Sequence, residues 1–314
     1  MTAWPAPRVA ELPRPVRPVP DETVTSFITR LAEANHLNNQ DLRYHLSPGH
    51  PTTTKTAKTS LSTLETATGY PRDALCYSLP ELRAQHPAVH ALQLRGRSIG
   101  GKPNEVRPAC RRCIAAKGIL HTVMTWMRHD HNVCVRHRLW IGAGVNQPNE
   151  QLNLADVADI GQAQRRHARL LRQYGRDRVR QAFAEATHIN TAWQMAGRYQ
   201  QGSYRRYVIL DPPKHSRRVR SLTPAADAAS RYPDIVALTS LLTSLFWRRI
   251  VISHDPTERD RFFNEIRRRV LDDYVQTTTS YDYLARWANE QRQHHTLDTL
   301  IDTLFASTSV KETS

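Results

Sequence analysis

Two short pairs have the residue types and spacing for metal coordination: Cys110-Arg111-Arg112-Cys113 and, after twenty residues, Cys134-Val135-Arg136-His137. Thiolate sulfur and neutral imidazole nitrogen are ligands zinc prefers, and two residues between ligands let each pair close a tight turn around one ion. Four protein ligands leave no position for water or substrate, so Cys110, Cys113, Cys134 and His137 predict one structural Zn2+ ion rather than a catalytic one. Ion binding would also fold a segment with too little core of its own. The bland alternative is three buried cysteines and a surface histidine, but chance rarely sets two such pairs at this separation.

Other candidate chemistry is weaker. His129-Asp130-His131-Asn132 has the residue types of an HNH nuclease, with His131 as general base and Asp130 as magnesium ligand or orienter. No second His/Asn segment on a helix follows, which argues for a polar loop and against an enzyme. Gly96-Arg97-Ser98-Ile99-Gly100-Gly101-Lys102 fits seven places of a phosphate-binding loop, but Pro103 stands where Ser or Thr should hold magnesium, and no buried strand precedes it. Nucleotide binding is rejected there. Cys76, outside the tetrad, reads as a small buried side chain.

The basic residues carry the next signal. Of the formal charge of +15, residues 101–220 hold 22 Lys/Arg against 8 Asp/Glu, a local balance of +14. Arginine dominates, and its planar fork suits phosphate oxygens. Arg165, Arg166, Arg169 and Arg172 fall in one helical stretch. Arg165, Arg169 and Arg172 are spaced four and three apart, so they share a face that could lie along a phosphate backbone; a solvated face is the alternative. A second patch interleaves Arg205, Arg206, Lys214, Arg217, Arg218 and Arg220 with Tyr204, Tyr207 and His215. It reads as a flexible loop able to grip nucleic acid, or as a plain linker.

The elements that must position these groups are mainly α-helical. Residues 1–20 form a Pro-rich, poorly structured arm. Residues 21–94 form a helical N-terminal domain, opened by Asp21-Glu22-Thr23 and a helix with Val24, Phe27, Ile28, Leu31 and Ala34 on its apolar face. Leu61, Leu64 and Ala67, then Gly69 and a helix from Pro71 to about Tyr77, give the outline of a helix-turn-helix. Residues 95–145 form a small zinc ribbon or finger module with two hairpins. Trp126 and Met127, with Ile114, Ile119, Val123, Val133 and Leu139, plug it. Residues 152–314 form a basic, helical C-terminal region, with helices at 152–174, 177–199, 233–247, 257–275, 281–292 and 296–306. No long apolar run suggests a membrane span, the N-terminus lacks an apolar leader core, and the cysteine usage suits a reducing, cytoplasmic setting.

Read together, two motif groups resemble the TniQ family of transposition proteins over roughly residues 10–175. The first is Leu12-Pro13 and the Pro-rich lead, then Asp21-Glu22-Thr23-Val24-Thr25-Ser26-Phe27-Ile28-Thr29-Arg30-Leu31-Ala32. The second is Cys110-x-x-Cys113, Trp126, then Val133-Cys134-x-x-His137 and Leu139. The resemblance departs in detail, since Ala109 and Val133 stand where relatives often have Pro. It implies a non-catalytic accessory protein that sits on target double-stranded DNA and recruits an AAA+ ATPase, which brings the transposase. It also admits a guide-RNA complex as target finder, and leaves a homodimer open. The competing reading is a zinc-containing, sequence-specific transcription regulator that uses residues 61–77.

Overall fold

The computed structural model describes residues 9–46, 59–85, 106–198, 201–212, 223–271 and 282–293. The expected phosphate-loop near miss and the helix at 296–306 lie outside the described residues, as do Lys214, Arg217, Arg218 and Arg220. The fold is mainly α-helical with a few two- and three-residue strands. No single described helix is long and apolar enough to cross a membrane.

The chain divides into two compact units, residues 1–137 with 145–151, and residues 138–144 with 152–314. The N-terminal helices and the metal-binding segment, separate in the sequence reading, share the first unit.

In this first unit α1 (Val24–Ala34) starts where the Thr23 side chain accepts from the Ser26 N–H. That hydrogen bond satisfies one of the orphan donors of the first turn. Phe27, Ile28 and Leu31 are buried and pack with Leu42 of α2 (Asn39–His45), Leu61 and Leu64 of α3 (Leu61–Thr68), and Leu75 of α4 (Arg72–Ser78). Burial of such side chains stabilises by roughly 1.5–3 kcal/mol each. Gly69 closes α3 at φ 67°, a left-handed conformation that favours glycine.

The arm departs from expectation. From residue 9 it is ordered on this domain: the Leu12 N–H donates to the Ala67 carbonyl at 2.9 Å. The Asn35 side chain accepts from the Arg14 N–H and donates to the Arg14 carbonyl, both at 2.9 Å. Proline leaves few backbone donors, and these remaining ones are spent on docking rather than on water.

After it, β1 (Val106–Pro108) pairs antiparallel with β2 (Met124–Trp126), Arg107 opposite Thr125. Between them lies α5 (Arg111–Ala115), and β3 (Val133–Cys134) follows.

The second unit is built around a helix that is nearly all core. α6 (Ala158–Tyr174), α7 (Arg176–Met195) and α8 (Gln201–Leu210) pack on α9 (Pro224–Thr243), followed by α10 (Leu245–Ile252), α11 (Pro256–Arg269) and a helix over 283–293. In α9, 14 residues are buried, Val236, Leu238, Leu241 and Leu242 among them. Phe262 and Trp287 stack 6.0 Å apart in the same core. α9 starts earlier than the expected 233, because Pro224 is a favourable first-turn residue and Pro233 is carried inside the helix. β4 (Leu139–Trp140) lies in this unit, with the Trp140 indole donating to Ala143 at 3.0 Å and stacking edge-on against Tyr232 at 5.4 Å. Gly144 sits at φ 81°, and a Cβ there would meet the Pro224 carbonyl carbon at 2.3 Å, so no side chain fits.

Candidate metal centre

Each ligand pair is held by a turn of backbone. The Ile114 N–H donates to the Cys110 carbonyl at 3.0 Å and the His137 N–H to the Cys134 carbonyl at 3.2 Å. The first turn is continued by α5, and the second projects from β3. These turns aim the four side chains at one point: their ligand atoms all lie within 4.8 Å of one another. The His137 Nδ1 is 3.5 Å from the Cys110 sulfur, 3.2 Å from that of Cys113 and 3.5 Å from that of Cys134. The Cys113 and Cys134 sulfurs are 3.6 Å apart.

Those spacings can be tested against an ion. A zinc tetrahedron with bonds of about 2.3 Å to sulfur and about 2.0 Å to nitrogen sets sulfurs about 3.8 Å apart, and sulfur from nitrogen about 3.5 Å. The residues therefore fit a tetrahedral metal. Cys110 and Cys134 are buried, while Cys113 and His137 are partly open.

Proton chemistry agrees with the geometry. The Cys110 thiol is lowered to about 4, chiefly because the Cys134 thiol donates to its sulfur, against the cost of burial. The same contact with Cys110 pushes Cys134 up, and burial pushes Cys113 up. One thiolate thus opposes the next. A divalent cation offsets that repulsion and lets all three sulfurs ionise.

The surroundings hold the first turn from an unexpected side. The Gln151 side chain is buried, and its Nε2 donates to the Pro108 and Ala109 carbonyls at 3.3 and 2.8 Å. Its Oε1 accepts from the Arg111 N–H at 3.0 Å. Gln151 therefore braces the backbone on both sides of Cys110. No sequence signal separated it from any other polar residue, because its partners are main-chain groups.

The hydrophobic plug also differs from expectation. Ile114 and Val123, with Ile119 and Ala109 against them, pack on Val19 of the arm. Leu139 falls in the second unit instead. Trp126 lies on β2, half-buried.

The arm is joined to this module through Glu22, which is completely buried. Arg30 of α1 donates to both its oxygens, at 2.8 and 2.5 Å, and the Ser26 hydroxyl donates to Oε1 at 2.9 Å. The Met124 N–H of β2 in turn donates to Ser26 Oγ at 3.0 Å. The Thr23 N–H donates to the Met124 carbonyl, and the Trp126 N–H to the Asp21 carbonyl, at 2.9 and 2.8 Å.

The alternative site at 129–132 is a closed turn. Both Asp130 oxygens accept from Arg128, at 3.0 and 2.5 Å, and the Asn132 amide donates to the His129 carbonyl at 2.7 Å. A carboxylate committed on both oxygens is a poor magnesium ligand. In the expected helix-turn-helix, α4 exposes Arg72, Asp73 and Tyr77, and Arg72 is tied to Glu65 at 2.6 Å.

The expected nucleic-acid residues divide. Arg165, Arg166, Arg169 and Arg172 are all exposed on α6, and none has an ion-pair partner among the described residues. Arg205 is exposed on α8, a helix where a loop was expected. Arg206 is a correction: its guanidinium turns inward to Asp159 at 2.9 Å and Asp234 at 2.5 Å, and donates to the Ser230 carbonyl at 2.6 Å. Adjacent helical residues point about 100° apart, so Arg205 can face solvent while Arg206, beside Asp159 and Asp234, turns inward.

Residues 13–140 match the TniQ family model. The matched stretch contains Glu22, Ser26, Arg30 and all four side chains of the candidate metal site, and is shorter than the range suggested by the motifs. No curated protein and no solved structure matches the chain.

Proposed function

We propose that this chain is a non-catalytic accessory protein of DNA transposition, which binds double-stranded DNA, helps select the target site and recruits an AAA+ ATPase and through it the transposase. The observation that carries this reading is the TniQ match over residues 13–140. It spans both the buried Glu22–Arg30 junction and the metal tetrad, the parts of the first unit that depend most on specific residues.

The tetrad holds one Zn2+ ion through Cys110, Cys113, Cys134 and His137. Three sulfurs and one imidazole suit zinc over the harder ions, and the closed ligand set gives the ion a structural role. DNA is met by the exposed face of α6, where Arg165, Arg169 and Arg172 recur at helical spacing with no acidic partner among the described residues. Arg205, exposed on α8, is a further candidate contact, and the sequence adds the basic residues Lys214, Arg217, Arg218 and Arg220. A row of unpaired guanidinium groups attracts a polyanion whatever its base sequence.

The test is a duplex-DNA binding titration of the zinc-loaded full chain at several salt concentrations, with co-purification of an AAA+ transposition ATPase in parallel. The reading expects affinity that falls steeply as salt rises, because phosphate contacts release counterions. Absence of binding at low salt would remove the DNA role. Failure to retain the ATPase would remove recruitment while leaving DNA binding intact.

A further inference from the structure

The turn between α10 and α11 borders a half-open cavity of about 570 Å³ that the DNA reading does not use. Its apolar wall is Phe246, Ile250 and Ile252, and Arg249 and Arg261 complete it from the two helices. Phe246 is 56% exposed and its neighbour Leu245 is 66% exposed. Two large apolar side chains presented side by side at a helix start cost free energy in water unless something covers them.

The charges narrow what that is. Neither Arg249 nor Arg261 has an ion-pair partner among the described residues. Both stand beside an apolar wall, where a carboxylate would be partly removed from water and bound more strongly than on an open surface. Asp255 and Glu258 lie on the same rim. They oppose a run of phosphates, in contrast to the exposed arginine row of α6. A nucleic-acid backbone is therefore disfavoured here, and a single carboxylate next to an apolar group is favoured.

We propose that this cavity is a docking site for a protein partner, which inserts an apolar side chain against Phe246, Ile250 and Ile252 and places an adjacent carboxylate between Arg249 and Arg261. The cavity has room for more than one side chain. The exposed Phe246 ring supplies the kind of aromatic contact that concentrates binding energy at interfaces. This site does not depend on the metal centre or on the α6 face.

The experiment selects short random peptides displayed on phage against the zinc-loaded full chain. It then measures the enriched peptides on the wild type, on Phe246→Ala and on the double variant Arg249→Glu/Arg261→Glu. All three altered residues are surface groups, and an unchanged circular-dichroism spectrum and melting temperature confirm folding. Enriched sequences should pair Leu, Ile or Phe with a neighbouring Asp or Glu. Loss of charge-assisted hydrogen bonds should weaken them roughly 10-fold or more on the double variant. Peptides with Lys replacing the acid should recover binding to that double variant. An empty selection, or peptides indifferent to all three substitutions, overturns the proposal. An oligothymidylate probe whose binding is lost in Phe246→Ala also overturns it, by assigning the cavity to single-stranded nucleic acid.

Discussion

Glu22 and Arg30 form a buried bidentate ion pair, at 0% and 4% side-chain exposure, with the carboxylate also accepting from Ser26 and from the Val19 N–H at 3.0 Å. Every carboxylate oxygen is satisfied, which a charge in this position requires. The pair ties together an acidic residue before α1, a serine on its first turn and an arginine four residues later. They are a single joint between helix, arm and β2.

Substituting Arg30→Met leaves the Glu22 carboxylate buried without its cation. The expected loss is about 3–5 kcal/mol of stability in urea unfolding of the full chain. Glu22→Gln with Arg30→Met should cost less than the two single losses added together, because the double variant strands no charge. Additive losses would mean that the pair is not coupled.

Gln151→Ala removes three hydrogen bonds to the backbone around Cys110. Groups that orient ligands commonly change metal affinity by about 10–100-fold. Competition with a chromogenic chelator should show weaker zinc retention in Gln151→Ala, with the same ion stoichiometry at saturation. Equal retention would reduce Gln151 to a bystander.

On α6, Arg165→Gln, Arg169→Gln and Arg172→Gln together should weaken duplex-DNA binding and flatten its salt dependence. Three lost phosphate contacts correspond to a change of about 2–3 in the slope of log affinity against log salt. The melting temperature should barely move, since all three side chains are exposed. An unchanged slope would remove this helix from the interface.

Asp234 gives the second unit a pH dependence. Burial raises its carboxyl to about 6, although Arg206 pulls the other way. Because the folded value exceeds the unfolded one, its contribution to stability is present below about pH 4 and is lost as pH rises through about 6. Asp234→Asn cannot ionise, so the stability of the variant relative to wild type should improve between pH 4 and pH 6.5. A constant difference across that range would contradict this assignment.

The ligand tetrad was legible because metal coordination fixes residue type and spacing within a few positions of the chain. The helices were legible for a similar reason, since Phe27, Ile28 and Leu31, or Leu61 and Leu64, repeat at the helical period. What escaped depends on distant partners. Gln151 acts on carbonyls some forty residues away in sequence. Val19 joins the plug from an arm whose prolines read as disorder. Arg206 belonged by composition to a basic patch, and only the positions of Asp159 and Asp234 reveal that it is internal. Composition reports how many cations there are; helical phase and tertiary packing decide which of them reach solvent.

In the reading proposed above, Cys110, Cys113, Cys134 and His137 hold one zinc ion that folds the first unit. Elemental analysis of full-length protein purified without chelators, with Cys113→Ser beside it, tests this most directly. One zinc per wild-type chain is expected, with Cys113→Ser losing both the ion and protease protection across residues 107–137. A wild-type preparation that is metal-free yet equally protected there would contradict it.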